Sequence, residues 1–476
     1  MEASKAGEKS TGAESGREGA RGNGKKGFIA LNAWAQLLME RGAPCGSGEG
    51  EVQSVRVWRR DTVRLLPTPE QEELLQRVGD AAAKLINMEN FRRRRLFFEK
   101  GKVDYSWKSA WERRETAYSE IYKLLGSANF HETCRFISEQ WKSFLELLKA
   151  KKEGKLEPWR ELNPPGYRKR EKLQLPIILI RFDNYEVDLE RKVLRLGYWN
   201  AEIPFAGKPK WLAKGERLGR LAVVYDGVKK RWYAKIAVKV TLQIERNPRS
   251  SLKAGIDLGR EILAAVAVED GTALLYRGSV LKSDRHYFEK RIAAIDRMLS
   301  GSKTEGVDGS ALREERRRLH GKRKRKRSQV LANMAAHVAQ ELATRGVSVA
   351  FVGYPKDTAR DRAGKGDANV RDCWKLMLRL AATLENYGIA AFEVPEEGTS
   401  KLCARHGCRV ERMPRGLVKC PRGHVMHSDV NAAMNILLRG ARLLGCRVEL
   451  PERVKVLSFT PTPSGIVEKE KRAATG

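Results

Sequence analysis

The chain has 476 residues, 41% of them apolar and 32% charged, enough for roughly two to four domains and at least one sizeable core. Lys plus Arg outnumber Asp plus Glu by 92 to 59, a formal charge of +33; such an excess opposes compaction and calls for a polyanion, nucleic acid first, since a merely thermophilic surface would balance Lys against Glu. No apolar run reaches the ~18 residues of a membrane span, the N-terminus lacks the apolar core of a secretory signal, and three of the seven cysteines fall within 18 residues, a spacing for metal in a reducing, intracellular setting.

Residues 1–26 are rich in Gly, Ser, Lys and Glu without periodicity, and are expected to be disordered. FIALNAWAQLLME then reads as a small helix and residues 42–50 as a linker, so 1–50 form a loosely ordered extension. Val52 to Leu65 alternates as a strand does. After Pro67-Thr68-Pro69, EQEELLQRVGDAAAKLINMENFRRRRLFF has helical spacing and begins with acids where the helix dipole favours them. Residues 103–152 predict further helices whose aromatics, Trp107 to Phe144, are mostly core, with one or two free to stack on bases. The prolines at 158–165 end this helical stretch. PIILIRFDN, EVDLERKVLRLG, RLAVVYDG and RWYAKIAVKV follow as short β runs, making 1–245 a strand-rich body with a helical insertion.

The character changes at Ala254. AGIDLGREILAAVAVEDGTALLYRG predicts a hairpin or three-stranded meander, and 285–345 two long Arg-rich helices separated around GSKTEGVDGS. VSVAFVGYP reads as a buried strand, CWKLMLRLAATLENYG as an amphipathic helix and IAAFEVPEE as another strand. A ligand-rich hairpin at 403–424 precedes the helix DVNAAMNILLRGARLL, and 450–476 read as an extended tail. A meander followed by strand–helix units fits a mixed-sheet nuclease fold of the ribonuclease-H type.

Phosphodiester hydrolysis needs carboxylates that converge on one or two Mg²⁺ ions. Asp257 closes a short apolar run, as in the first strand of such a fold, and Asp429 begins a helix that also carries Asn431 and Asn435. Either aspartate alone is more often a cap than a ligand. Cys403-x4-Cys408, then eleven residues, then Cys420-x3-His424 places four donors on two short turns, as tetrahedral Zn²⁺ requires. His406 could stand in for Cys408. Four ligands leave no open position, so this metal is structural. The densest basic run, 316–327, contains nine Lys or Arg: Arg316, Arg317, Arg318, Lys322, Arg323, Lys324, Arg325, Lys326 and Arg327. It suits the phosphates of an RNA–DNA duplex or guide scaffold, and Arg92, Arg93, Arg94 and Arg95 form a second cluster.

IDLG at 256–259, HSDVNAAMNIL at 427–437 and PTPEQEELLQRVGDAAAKLINM near the start resemble the TnpB family of transposon-encoded nucleases, a resemblance spanning roughly 52–440. It implies RNA-guided, Mg²⁺-dependent cutting of double-stranded DNA beside a short flanking motif, with a guide RNA transcribed from the end of the mobile element. The implied fold is α/β. A RuvC-like core with Arg-rich helices (251–402) is interrupted by a zinc hairpin (403–426) and completed by a final motif (427–449). It is preceded by a β-barrel-like wedge domain (51–75 and 161–250) with a helical recognition insertion (76–160). One RNA per monomer, no membrane and a cytoplasmic, nucleoid-associated location follow from the same likeness. The family's middle acid normally ends the strand that matches VAFVGYP, where this chain has Gly353-Tyr354. Some relatives, the Fanzor branch included, carry a relocated glutamate just before Thr-Ser-Lys. FEVPEEGTSKLC supplies Glu396 there, with Glu397 and Asp357 as alternatives. The expected triad is thus Asp257, Glu396 and Asp429. The competing readings are a guided binder that does not cut, repressor-like, and a transposase.

Overall fold

The computed structural model describes residues 29–41, 52–154, 156, 161–169, 176–245, 252–304, 308–354 and 367–468. In chain order, β1 (Ile29–Ala30) and α1 (Ala33–Arg41) precede β2 (Val52–Leu65) and a helical group: α2 (Pro69–Lys100), α3 (Lys108–Trp111), α4 (Ser119–Leu125) and α5 (Ser127–Lys152). Six strands follow: β3 (Ile177–Ile180), β4 (Tyr185–Asp188), β5 (Val193–Leu196), β6 (Ala201–Ala206), β7 (Arg217–Asp226) and β8 (Arg231–Glu245). Then come β9 (Leu252–Asp257), β10 (Ile262–Val268), β11 (Thr272–Arg277), α6 (Ser279–Thr304), α7 (Ser310–Thr344), β12 (Val347–Tyr354), α8 (Asp367–Glu385) and β13 (Ala390–Pro395). A small three-stranded sheet of β14 (Glu411–Met413), β15 (Leu417–Lys419) and β16 (Val425–His427) leads into α9 (Ser428–Leu443), β17 (Lys455–Thr462) and β18 (Gly465–Glu468). The chain divides into two compact units, one of 54–243 with 287–324 and the other of 1–53, 244–286 and 325–476.

In the first unit the strands are ordered β3-β7-β8-β2-β6-β5-β4. Its longest helix, α2, starts where the sequence signals a start. Gln71 N–H donates to Thr68 Oγ1 while Thr68 N–H donates to Gln71 Oε1, a reciprocal box with Pro69 in the first turn. Its buried stripe includes Leu75, Val78, Ala82, Leu85 and Ile86, and the helix ends at Gly101, whose φ of 64° a side chain would resist.

The second unit is built on an eight-stranded sheet ordered β1-β13-β12-β9-β10-β11-β17-β18. β9, β10 and β11 form the expected antiparallel meander, and β12 and β13 run parallel to β9. Counted from β9, the central order is 3-2-1-4-5, the ribonuclease-H arrangement. Ile256, Val266, Leu274, Ala350 and Val352 pack one face against Met334, Val338 and Leu342 of α7 and Met377, Leu380 and Leu384 of α8. Both outer ends of this sheet come from segments expected to be loose. β1 pairs with β13, and Asn32 spans the edge: its Nδ2 donates to Ala381 O and Ile389 O while its Oδ1 accepts from Ala35 N and Ala391 N. Trp34 and Ala35 of α1 are buried. At the other end β17 runs parallel to β11 and turns back through β18, so 455–468 are sheet and not an extended tail.

Candidate functional site

Because β9, β12 and β13 are parallel, their C-terminal ends open at one edge of the sheet, where open α/β sheets place their ligands. Asp257 is the last residue of β9. β12 and β13 stay in register to Tyr354 opposite Pro395, so Glu396 leaves the sheet immediately beyond that pair. The third acid comes from a helix laid across this face. A Cβ on Gly255 would stand 2.1 Å from Ala433 O, and one on Gly440 2.2 Å from the Phe351 ring. Only the missing side chains at 255 and 440 let α9 descend this far onto the strands. Its first turn carries Asp429, and His427 Nδ1 caps the helix by accepting from Asp429 N–H.

The three acids share one electrostatic environment. Burial, then the charges of Glu396 and Asp429, push the Asp257 carboxyl up to about 8. A buried carboxyl whose charge is opposed by two neighbouring acids is one that a divalent cation would relieve, and an all-carboxylate donor set suits Mg²⁺. Glu396 is anchored through its backbone: Thr399 N–H and Oγ1 both donate to Glu396 O, and Arg439 Nη1 reaches Pro395 O at 2.5 Å. Gly353 explains the departure at β12. A Cβ there would lie 3.2 Å from Glu396 Oε2 and 2.5 Å from Ile436 Cδ1, so a longer side chain would compete for the space of the Glu396 carboxylate. Asp357 lies outside the described residues.

Cys403, His406, Cys408, Cys420 and His424 gather at two tight turns. Cys403 N–H donates to Cys408 O and Cys420 N–H to His424 O, with Gly407 and Gly423 at φ 66° and 83°. Cys403 Sγ lies 3.3 Å from His424 Nδ1, and His406 Nδ1 lies 3.7 Å from Cys403 Sγ and 3.3 Å from Cys420 Sγ. Two triads of donors, Cys403/His406/His424 and His406/Cys408/Cys420, each lie within 4.8 Å. His406 therefore joins the four expected residues. Burial opposes ionisation of Cys420, but His406 and backbone N–H groups outweigh it and pull the thiol down to about 6, towards the thiolate a metal requires.

The helix links the two sites. Fully buried Asn431 donates to Leu402 O and accepts from Ala404 N–H, while Asn435 donates to Thr399 O and Leu402 O. Both asparagines stand out in the sequence, but only the fold shows that they tie the Glu396 turn and the Cys403 knuckle to α9. Thr399 marks the Thr-Ser-Lys that locates Glu396 in the sequence, whereas Arg439 carries no signal of its own.

The basic residues divide. Along α7, Arg317, Lys322, Lys324, Arg325 and Arg327 are exposed, whereas Arg316, Arg323 and Lys326 pair with Asp296, Glu289 and Asp284. The cluster on α2 is largely spent inside its unit, which corrects its reading as a phosphate-binding patch. Arg93 is fully buried, held by Glu89, Asp104 O and Ser106 O; Arg92 binds Glu89 and Asp104; Arg94 donates to Pro164 O and Pro165 O. Arg95 alone stays exposed, paired with Glu99.

The sheet order defines a mixed α/β protein with a RuvC-like, ribonuclease-H core. A sequence profile described as a probable transposase (OrfB of the IS605 type) matches residues 235–359, and one described as the Cas12f1-like TNB domain matches 375–436. A TnpB-like protein, ORF457 of Acidianus two-tailed virus, is 38% identical over 420 residues, covering 83% of this chain and 89% of its own. The chain belongs to the TnpB family of transposon-associated RNA-guided nucleases. Among solved structures, a Cas12f1–sgRNA–target DNA complex aligns at 17% identity and TM-score 0.49 over 78% of this chain and 83% of that one. The mini RNA-guided endonuclease CRISPR-Cas_phi3 aligns at 12% and 0.35 over 83% and 94%. Among the described residues no helix is long and apolar enough to cross a membrane.

Proposed function

We propose that this chain is an RNA-guided, Mg²⁺-dependent endonuclease that cuts double-stranded DNA beside a short flanking motif, with a guide transcribed from the end of the mobile element. The buried Asp257 at the end of β9, whose charge both Glu396 and Asp429 oppose, carries the reading. These carboxylates would hold the metal, and Asn435, Thr399 and Arg439 fix the segments that bear them. Bound Mg²⁺ would activate water and steady the leaving oxygen. Cys403, Cys420, His424 and one of Cys408 or His406 would hold Zn²⁺, which would brace the start of α9. The exposed cations of α7 hold the nucleic acid backbone, and base pairing supplies sequence choice. The division into recognition helices (76–160), wedge strands (51–75, 161–250), nuclease core, zinc hairpin and closing motif belongs to this reading, as do one RNA per monomer and a cytoplasmic, nucleoid-associated location.

A guided binder that does not cut is the second reading, and the glycine at 353 is what favours it. Glu396 reaching the place beside Gly353 supports cutting. Protein copurified with RNA from its own gene region, given Mg²⁺ and a plasmid library with a matched target and randomised flanks, separates the two. Cuts beside one enriched flank, abolished by Asp257→Ala and by Glu396→Gln, are expected. Flank-specific binding without cuts selects the second reading, and cuts that survive Glu396→Gln remove that residue from the site.

A further inference from the structure

The outward face of the first unit's sheet has an unusual composition. Along β2 the chain alternates, so that Val55, Val57 and Asp61 are buried while Arg56, Trp58, Arg60 and Thr62 are not. β8 lies between β2 and β7, and its alternation turns Lys235, Ala237 and Lys239 away from the core that holds Ile236 and Val238. On β7 the register shifts between Leu218 and Leu221. This irregularity sends Arg220 to Glu132 and Glu139 of α5 and leaves Gly219 beside Ala237.

Trp58 lies over that gap. A Cβ on Gly219 would come within 2.7 Å of Trp58 Cζ3 and 3.2 Å of the Ala237 methyl. The indole thus reaches from β2 across β8 to β7 and rests on a floor with almost no side chains. It is nevertheless 46% exposed. A tryptophan needed only for packing would sit inside, as Trp232 and Trp141 do. Arg56 and Arg60 flank it on its own strand, Lys235 and Lys239 on the next, and Arg217 across from Lys239 on the third. None of the outward positions named is acidic. An aromatic surface ringed by cations on a rigid sheet matches a base between two phosphates.

We propose that this face is a nucleobase-stacking site, in which Trp58 stacks one unpaired base of the bound RNA while Arg56, Arg60, Lys235 and Lys239 take the phosphates on either side. Only the choice of RNA rests on the functional reading above; the stacking chemistry rests on the surface. The ring has no hydrogen-bond pattern to match against base edges, so the site is tolerant of sequence.

The test uses the full chain, stripped of nucleic acid in high salt, with a fluorescent twelve-nucleotide unstructured RNA as probe. The same sequence as single-stranded DNA and as duplex provides the comparison arms. Trp58→Ala is expected to weaken RNA binding about 5- to 150-fold, with Trp58→Phe near wild type. Gly219→Val, which lifts the indole off its floor, should also weaken it. The slope of log affinity against log salt should not change in Trp58→Ala, whereas Arg56→Ala/Arg60→Ala should lower it by about 0.7 per contact. Thermal midpoints check folding. RNA affinity indifferent to Trp58 in a folded variant overturns the site. A loss confined to DNA overturns the assignment of RNA. Guided cutting with RNA binding blind to Trp58 would sink this inference alone, and a Trp58 effect in a chain that cuts nothing would sink only the nuclease reading.

Discussion

Asp257→Asn should stabilise the protein while destroying its proposed activity. The Asp257 carboxyl is pushed up to about 8 in the fold from the 3.8 of an ordinary aspartate, because burial and then Glu396 and Asp429 oppose its charge. For an acid raised in this way the folded state costs nothing extra below about pH 4, and stability is lost as pH rises from there towards 8. At pH 7 the unfolded chain has released the proton that the native chain still binds, which opposes folding by up to about 4 kcal/mol. Asparagine keeps the shape and removes the titration. At roughly 2 to 4 °C per kcal/mol, the variant should melt several degrees above wild type at pH 7.5 in EDTA, with the gap closing as pH falls towards 4. Scanning calorimetry across pH reads this directly. Millimolar Mg²⁺ should raise the wild type and leave Asp257→Asn nearly still. A variant that melts with or below wild type at pH 7.5 in EDTA would refute the claim that these acids repel one another in one site.

Gly353→Val should lower the Mn²⁺ affinity of the acid cluster by at least about 10-fold in a paramagnetic binding titration, since a branched side chain enters the space of the Glu396 carboxylate; unchanged affinity would mean that the carboxylate swings clear. Arg93→Met should cost about 3–5 kcal/mol in urea unfolding by removing one partner from a buried ion pair, while Arg95→Ala leaves the midpoint in place. A tolerated Arg93→Met would return that residue to the list of candidate nucleic-acid contacts. Five donors gather where the proposed tetrahedral zinc would need four. Cys403→Ser and Cys420→Ser should therefore release zinc in a colorimetric chelator assay, and at least one of His406→Ala, Cys408→Ser and His424→Ala should retain it. Loss in all three would show that the donors do not substitute for one another.

The nuclease sheet was readable because each strand announces itself. ILAAVAV and TALLYR are apolar enough to be buried on both faces, and the turn Glu269-Asp270-Gly271 between them is conspicuous. Asp257 and Asp429 were candidates because IDLG and HSDVNAAMNIL resemble the family's motifs; as boundary aspartates alone each is more often a cap. The arginines of α2 misled for a physical reason: a run of four cations suggests a phosphate patch, and although Glu89 stands one turn away, nothing local reveals Asp104 and Tyr118 joining it. Position 353 was legible only as a missing acid. That its emptiness serves a carboxylate from the neighbouring strand depends on register, which a single sequence does not carry. The edge strands were missed because β1 has two residues and β17 contains a proline; both depend on tertiary pairing for their existence.

That pairing bears on when the protein becomes competent. Asn32 is hydrogen-bonded to Ala391, 359 positions later, and β11 must wait for β17. A chain emerging from the ribosome can fold the α2–α5 helices early, from contacts that are nearer in sequence. The second unit's sheet is different: β13, β17 and β18, the Glu396 turn and the helix bearing Asp429 all come from the last quarter of the chain. Contacts of such long range form late and slowly. A chain three-quarters made therefore holds Asp257 without Glu396 and Asp429, and the proposed metal site is assembled only when translation is nearly done.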